Sequence, residues 1–251
     1  MDGERFIRII HEPTEEEPFV VLDKPAGLPS APLHEGDESA YTQAAARWPE
    51  LQAVSGRKAT EHGLVHRIDT VTRGILLIAA SQPCYDYLQH IQQQGLFIKQ
   101  YRAECLCRPD CGVLLGGFPP PPLRVQHDCL SATIESCFRP YGEHGKAVRP
   151  VTGQAGKAAQ KKAAPLLYRT EISLRKEDGR WNALCSISRG YRHQVRCHLA
   201  WLGFPIQGDP LYSPDGAGEA GFSFTAESFS FPDAKSGIRQ FFSIKSAAAL
   251  D

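Results

Sequence analysis

The chain has no charge bias. Its 28 basic and 28 acidic residues cancel to a formal net charge of zero, so any surface for a polyanion must be a local patch. It has no long apolar run. The first, Phe19 to Leu22, is short, and nothing approaches the roughly 20 apolar residues of a membrane span. The charged start does not read as a secretory leader. Eight cysteines are present, but no Cys-x-x-Cys pair. Cys105, Cys107 and Cys111, with His127 further on, miss the common zinc spacings. His62 and His66 have a helical metal spacing, but Gly63 and the strand that follows argue against a helix. No metal is expected, no phosphate-binding glycine loop suggests a nucleotide, and no cofactor is expected. Reduced thiols in a cytoplasmic protein are the simplest reading.

What is present is ordinary for a globular chain. It has 251 residues, 42% of them apolar and 22% charged, enough for one large domain or two lobes. Residues 1–18 are polar and read as a loosely held arm, leaving 19–251 as the folded domain. Strands are expected at 19–23, 75–80, 97–106, 133–138, 166–174 and 181–188. Helices are expected at 39–48, after Ser81 and at 192–202. The order is mixed rather than a regular strand–helix alternation, which predicts an α+β mixed sheet with flanking helices. Residues 139–165 read as a basic, Gly/Ala/Lys-rich insertion. It carries Arg139, Lys146, Arg149, Lys157, Lys161 and Lys162 against one acid, Glu143, and reads as a solubilising loop or a polyanion contact.

The most informative stretch is Val65 to Ala79, where a charge-dense turn enters an apolar strand. In extended backbone Arg67 and Asp69 share a side, and an Arg beside a carboxylate keeps it ionised. Asp69 is therefore a candidate nucleophile or base. A pair that only pins a turn is the plainer reading of these residues alone. In 188–212, Val195, Leu199 and Leu202 form an apolar helix stripe, with Arg196 off it and free to face a cleft. Arg192 and Arg196 are one turn apart and can bracket an anion. His198, near the stripe, reads as a satisfied core histidine. Gly208-Asp209-Pro210 reads as a turn and no more. Lys99, Tyr101 and Ala103 share one strand face, where a tyrosine either packs in the core or stacks on a nucleobase.

Together these segments resemble the RluA family of pseudouridine synthases. Lys24, Pro25, Gly27 and Leu28 match its Lys-Pro-x-Gly-Leu segment. His66, Arg67, Ile68, Asp69, Thr72 and Gly74 match the His-Arg-Leu-Asp-x-x-Thr-x-Gly block. Lys99, Tyr101 and Ala103 match Lys-x-Tyr-x-Ala. His193, Gln194, Val195, Arg196 and His198 match His-Gln-Ile-Arg-x-His, and Gly208, Asp209, Leu211 and Tyr212 match the Gly-Asp-x-Leu-Tyr that follows. Arg73 stands where the family usually has Ser, and Arg192 lies in a segment, 189–192, that departs from the usual Thr-Gly-Arg-Thr.

The resemblance implies the pseudouridine synthase fold, a mixed and largely antiparallel sheet with helices in two lobes around a cleft. It implies isomerisation of a uridine in transfer or ribosomal RNA. Asp69 falls on the catalytic aspartate, Tyr101 on the active-site tyrosine and Arg196 on the arginine that pairs with that aspartate. His66, Arg67, Thr72, Lys24, Arg192, His193 and Gln194 are the candidate substrate-binding residues. Structured RNA with a flipped uridine is the expected partner, and a monomer the expected state. Two competing readings are a non-catalytic RNA-binding protein on the same scaffold and a hydrolase using Asp69 and His66. Presence of the aspartate, tyrosine and arginine speaks against the first, and absence of a second paired carboxylate or nucleophile motif against the second.

Overall fold

The computed structural model describes residues 5–34, 36–125, 127–214 and 221–245. In chain order the elements are β1 (Arg8–His11), β2 (Phe19–Lys24), α1 (Ala40–Arg47), β3 (Arg73–Ala79), α2 (Gln82–Gln93), β4 (Ile98–Cys105), α3 (Cys111–Leu115), β5 (Cys129–Tyr141), β6 (Ala147–Val151), α4 (Lys157–Lys161), β7 (Tyr168–Glu177), β8 (Arg180–Ile187), α5 (Gln194–Trp201), β9 (Phe224–Pro232) and β10 (Arg239–Ser243). The class is α+β, with mostly antiparallel strand pairing, as expected. The chain divides into two compact units, Met1–Lys99 with Thr225–Asp251, and Gln100–Phe224.

In the first unit the strand order is β1-β2-β3-β9, with β10 paired to β9. β2 and β3 are near-continuous apolar runs, every residue buried except Arg73, which is how a strand covered on both faces reads in sequence. They pair antiparallel from Phe19↔Ala79 to Lys24↔Gly74. β3 meets β9 in parallel at Arg73↔Thr225 and Gly74↔Ala226. There a Cβ on Gly74 would lie 2.2 Å from the Ala226 carbonyl oxygen, and its φ is +139°, so only glycine fits. α1 opens on a reciprocal cap between Ser39 and Thr42. α2 opens on the Ser81 hydroxyl, with Pro83 in its first turn; both starts agree with the sequence.

The arm expected over residues 1–18 is in part a strand. β1 pairs antiparallel with β2 through Arg8↔Asp23 and Ile9↔Leu22. Arg8 donates to the buried Asp23 carboxylate at 3.2 Å. Four residues are too few for a periodic signal, so the pairing and the ion pair decide it.

In the second unit the order is β4-β8-β7-β5-β6. β7 alternates buried and exposed residues along Tyr168, Thr170, Ile172 and Leu174, the half-covered pattern its sequence predicts. α5 is buried along its whole length. The 139–165 insertion is not a plain loop: β5 runs on to Tyr141 and pairs with β6 from Cys137↔Val151 to Tyr141↔Ala147. Arg149, counted above as part of a basic patch, is buried. It donates to the Gly116, Val148 and Leu115 carbonyls at 2.7, 2.9 and 3.0 Å, and the Phe118 and Tyr141 rings lie 4.3 and 4.2 Å from its guanidinium. It is a core residue; Lys146, Lys157, Lys161 and Lys162 remain exposed.

Candidate active site

In the first unit, Asp69 lies on a turn closed by the Thr72 amide, which donates to the Asp69 carbonyl at 2.9 Å. This turn is stapled to the loop after β2. Lys24, fully buried, sends its ammonium to the Pro25, Leu28 and Thr70 carbonyls at 2.9, 2.7 and 3.2 Å. The Gly27 amide also donates to the Thr70 carbonyl, at 2.7 Å. The Ser30 hydroxyl lies 2.8 Å from the Ile68 carbonyl and 3.2 Å from the Ile68 amide. Burial lowers the Lys24 pKa to about 8, while the charges of Asp69 and Asp23 pull it back up. Lys24 and Asp69 therefore interact, and the Lys-Pro-x-Gly-Leu segment acts as a brace for the aspartate turn. Ser30 belongs to the brace and carried no sequence signal of its own.

The expected Arg67–Asp69 partnership takes another form. Arg67 pairs with the buried Glu61 at 2.9 Å, because residues 65–69 are not strand and the alternation argument does not apply. Thr72 is buried, and its hydroxyl has no hydrogen-bond partner. His66 is half-buried, with both ring nitrogens closed off and unpartnered. Its ring lies 5.6 Å from Phe97 and 5.8 Å from Phe229. Burial, and then the Lys99 charge, lower its pKa to about 3, so the ring is neutral.

In the second unit, Arg196 is 2% exposed and Asp209 fully buried. The Arg196 Nε and one terminal nitrogen donate to the two Asp209 oxygens, each at 2.8 Å. The same carboxylate accepts from the Leu211 and Tyr212 amides at 2.9 and 3.0 Å. Gly208 allows this turn: a Cβ there would sit 2.0 Å from the Gly221 carbonyl oxygen. The Tyr212 and Phe222 rings lie 5.2 and 5.3 Å from the Arg196 guanidinium. Phe222 is 5.9 Å from Phe224, and Phe224 stacks on Tyr101 at 5.4 Å with 12° between the planes. The structure thus joins Tyr101 and Arg196 through one aromatic row. Asp209, read from sequence as a bare turn residue, is the anchor of Arg196.

The remaining candidates of this unit make contacts within it. Arg192 precedes α5 and donates to the Gly145 and Ala147 carbonyls rather than forming a clamp one turn from Arg196. His193 has a left-handed backbone, φ 56°, and its Nδ1 lies 3.1 Å from the Tyr212 hydroxyl. Gln194 is buried, and its amide donates to the Arg169 carbonyl and the Thr170 hydroxyl at 2.9 and 3.0 Å. His198, fully buried, lies 2.9 Å from the Ser136 hydroxyl and 2.8 Å from that of Thr170, the satisfied core histidine expected. Among the described residues no group of three or more His, Cys, Asp or Glu side chains is placed to hold a metal. No helix is long and apolar enough to cross a membrane.

A buried two-point arginine, a tyrosine in the same aromatic row and a braced aspartate turn sit on an α+β scaffold shared with known structures. Human RNA pseudouridylate synthase domain containing 1 aligns over 96% of this chain and 85% of its own, with a TM-score of 0.64 and 17% identity. Human RNA pseudouridylate synthase domain containing 4 aligns over 94% and 87%, with a TM-score of 0.61. Both show the pseudouridine synthase fold. The RNA pseudouridylate synthase family model matches residues 18–201, and the chain belongs to that family. Among curated relatives, an uncharacterized RNA pseudouridine synthase of Mycoplasma pneumoniae is 29% identical over 86% of this chain and 60% of its own length. The ribosomal large subunit pseudouridine synthase D of Xanthomonas campestris is 30% identical over 79% of this chain and 50% of its own. The chain therefore spans about half to three fifths of the length of these relatives.

Proposed function

We propose that the protein is an RNA pseudouridine synthase acting on a uridine of structured RNA, with Asp69, Tyr101 and Arg196 as its catalytic residues. The observation that carries this reading is the Arg196 site: a buried, two-point-anchored guanidinium in the aromatic row of Tyr101, in a member of this family. Isomerisation breaks the bond from ribose carbon 1′ to uracil nitrogen 1 and forms one from carbon 1′ to carbon 5. The hydrogen on carbon 5 leaves to solvent as a proton, and nitrogen 1, freed from the sugar, takes one up. No oxidant, metal or nucleotide is needed for balance.

In this reading the target nucleotide is flipped out of its stack, at a cost of a few kcal/mol. Tyr101 stacks on the uracil, with its other face held by Phe224. Asp69 acts at the sugar or the ring, and Arg196 supplies a fixed guanidinium. The anchoring by Asp209 fixes that guanidinium before substrate arrives, so no reorganisation is needed during the reaction. Ribosomal RNA is the first substrate to test, because several relatives carry ribosomal large subunit in their names. Transfer RNA is the second. Such a protein acts in the cytoplasm, as a monomer, with RNA as its partner.

The test is tritium release. RNA labelled at uracil carbon 5 and isolated from cells without this gene should lose label to water in the presence of a chelator, with no strand cleavage and no free base. A binding module would release nothing, and a hydrolase would cut the chain or free the base.

A further inference from the structure

The first unit holds a largely buried lysine with no ion pair to an acid among the described residues. Lys99 is 6% exposed. Its ammonium lies 5.8 Å from the centre of the Phe97 ring. A buried ammonium left this way is costly, and natural sites supply a partner. Burial, and then the charge of another cation, Arg57, lower the Lys99 pKa to about 8. Arg57 is exposed, and its guanidinium is oriented by the neutral Gln89 Oε1 at 2.6 Å. Gln89 is itself tied to the Val65 carbonyl at 3.1 Å. The neutral His66 ring lies 5.6 Å from the same Phe97 ring, with both nitrogens sealed and unpartnered among the described residues. Arg57 and Lys99 thus act on each other as like charges, and neither is ion-paired to an acid among the described residues.

We propose that Lys99 and Arg57, with His66 beside them, form a subsite for one phosphodiester of the bound RNA, Arg57 at the rim and Lys99 at the floor. A phosphate supplies the negative charge that a neutral base oxygen does not, and its oxygens accept from ammonium and guanidinium alike. His66 lies three residues before Asp69, and Lys99 two before Tyr101 on the same face of β4. The subsite thus borders both proposed catalytic segments, where it would hold the strand beside the target nucleotide. The inference rests on the RNA-modifying reading above.

The experiment uses the full chain and a 12-nucleotide oligouridine, with binding measured over a range of salt. Lys99→Met should weaken binding and lower the log–log salt slope by about 0.7, one single-stranded contact. Lys99→Arg should keep the slope. Arg57→Ala, on the exposed rim, should lower it by a similar step and serves if the Lys99 variants do not fold. A folded Lys99→Met protein with an unchanged slope would overturn the proposal, including when its turnover falls, since the ammonium would then face a neutral group. Slope changes without tritium release in the parent protein would sustain the subsite while removing the synthase reading, so the two fail separately.

Discussion

Asp69 is held by its backbone and its neighbours rather than by core packing. The turn from Asp69 to Thr72 and the Lys24–Thr70 contact persist whatever side chain stands at 69. Asp69→Asn should therefore fold, melt near the parent temperature and bind RNA, while turnover falls by at least three orders of magnitude. Tritium release at matched RNA occupancy checks this, and near-parent release would remove Asp69 from the chemistry. Asp209 behaves in the opposite way. Both members of the Arg196–Asp209 pair are out of water, and removing one charge strands the other. Asp209→Asn should cost about 3–5 kcal/mol in urea unfolding, the range for a broken buried pair. A loss under 1 kcal/mol would mean that Arg196 is not held by that carboxylate.

At the scale of elements, the motifs were legible where a residue type answers a local need. Gly74 marks a strand contact that admits no side chain, Ser39 and Ser81 mark helix starts, and the apolar runs mark β2 and β3. Partner choice was not legible. Arg67 pairs with Glu61, six residues back, and the Asp209 contact of Arg196, thirteen residues on, had no sequence signal. Periodicity says which way a side chain leaves the backbone, but not what chain returns to meet it. α5 shows the same limit: an apolar stripe suggested one buried face, and tertiary packing buried every face. The basic insertion was misread because β-pairing and ring stacking claimed Arg149, leaving the lysines around α4 as the exposed charge. Replacing Lys157, Lys161 and Lys162 with Ala should lower the RNA salt slope by up to ~0.7–0.9 per lost phosphate contact, with stability little changed. An unchanged slope would make α4 a solubilising segment.

For the whole molecule, two histidines contribute to the response to acid. His66 in one unit and His198 in the other are both lowered by burial to about 3. Each is neutral when folded, whereas the unfolded chain binds a proton near pH ~6.5. Their stabilising effect is therefore complete above pH ~6.5 and is lost as pH falls from there toward 3. Each histidine lowers stability by up to about 1.4 kcal/mol per pH unit inside that window. Urea unfolding at pH 7, 6 and 5 should show the decline, and His198→Asn should flatten it. A stability constant from pH 7 to 5 would mean that neither ring is closed to protons. Overall architecture was legible because apolar runs and turn residues fix which segments become strands; the division into two units was anticipated only as two lobes, since length permits it without placing the boundary.

The short first strand has a consequence for how the gene is handled. β2 opens on Phe-Val-Val-Leu, all four buried, and β1 is what covers its outer edge. A version started at Glu12 would present that edge naked, with Asp23 deprived of Arg8. An uncharged β-rich run of this kind is a template for pairing with another copy of itself. Trimming the polar start as dispensable would therefore favour aggregation of what remains.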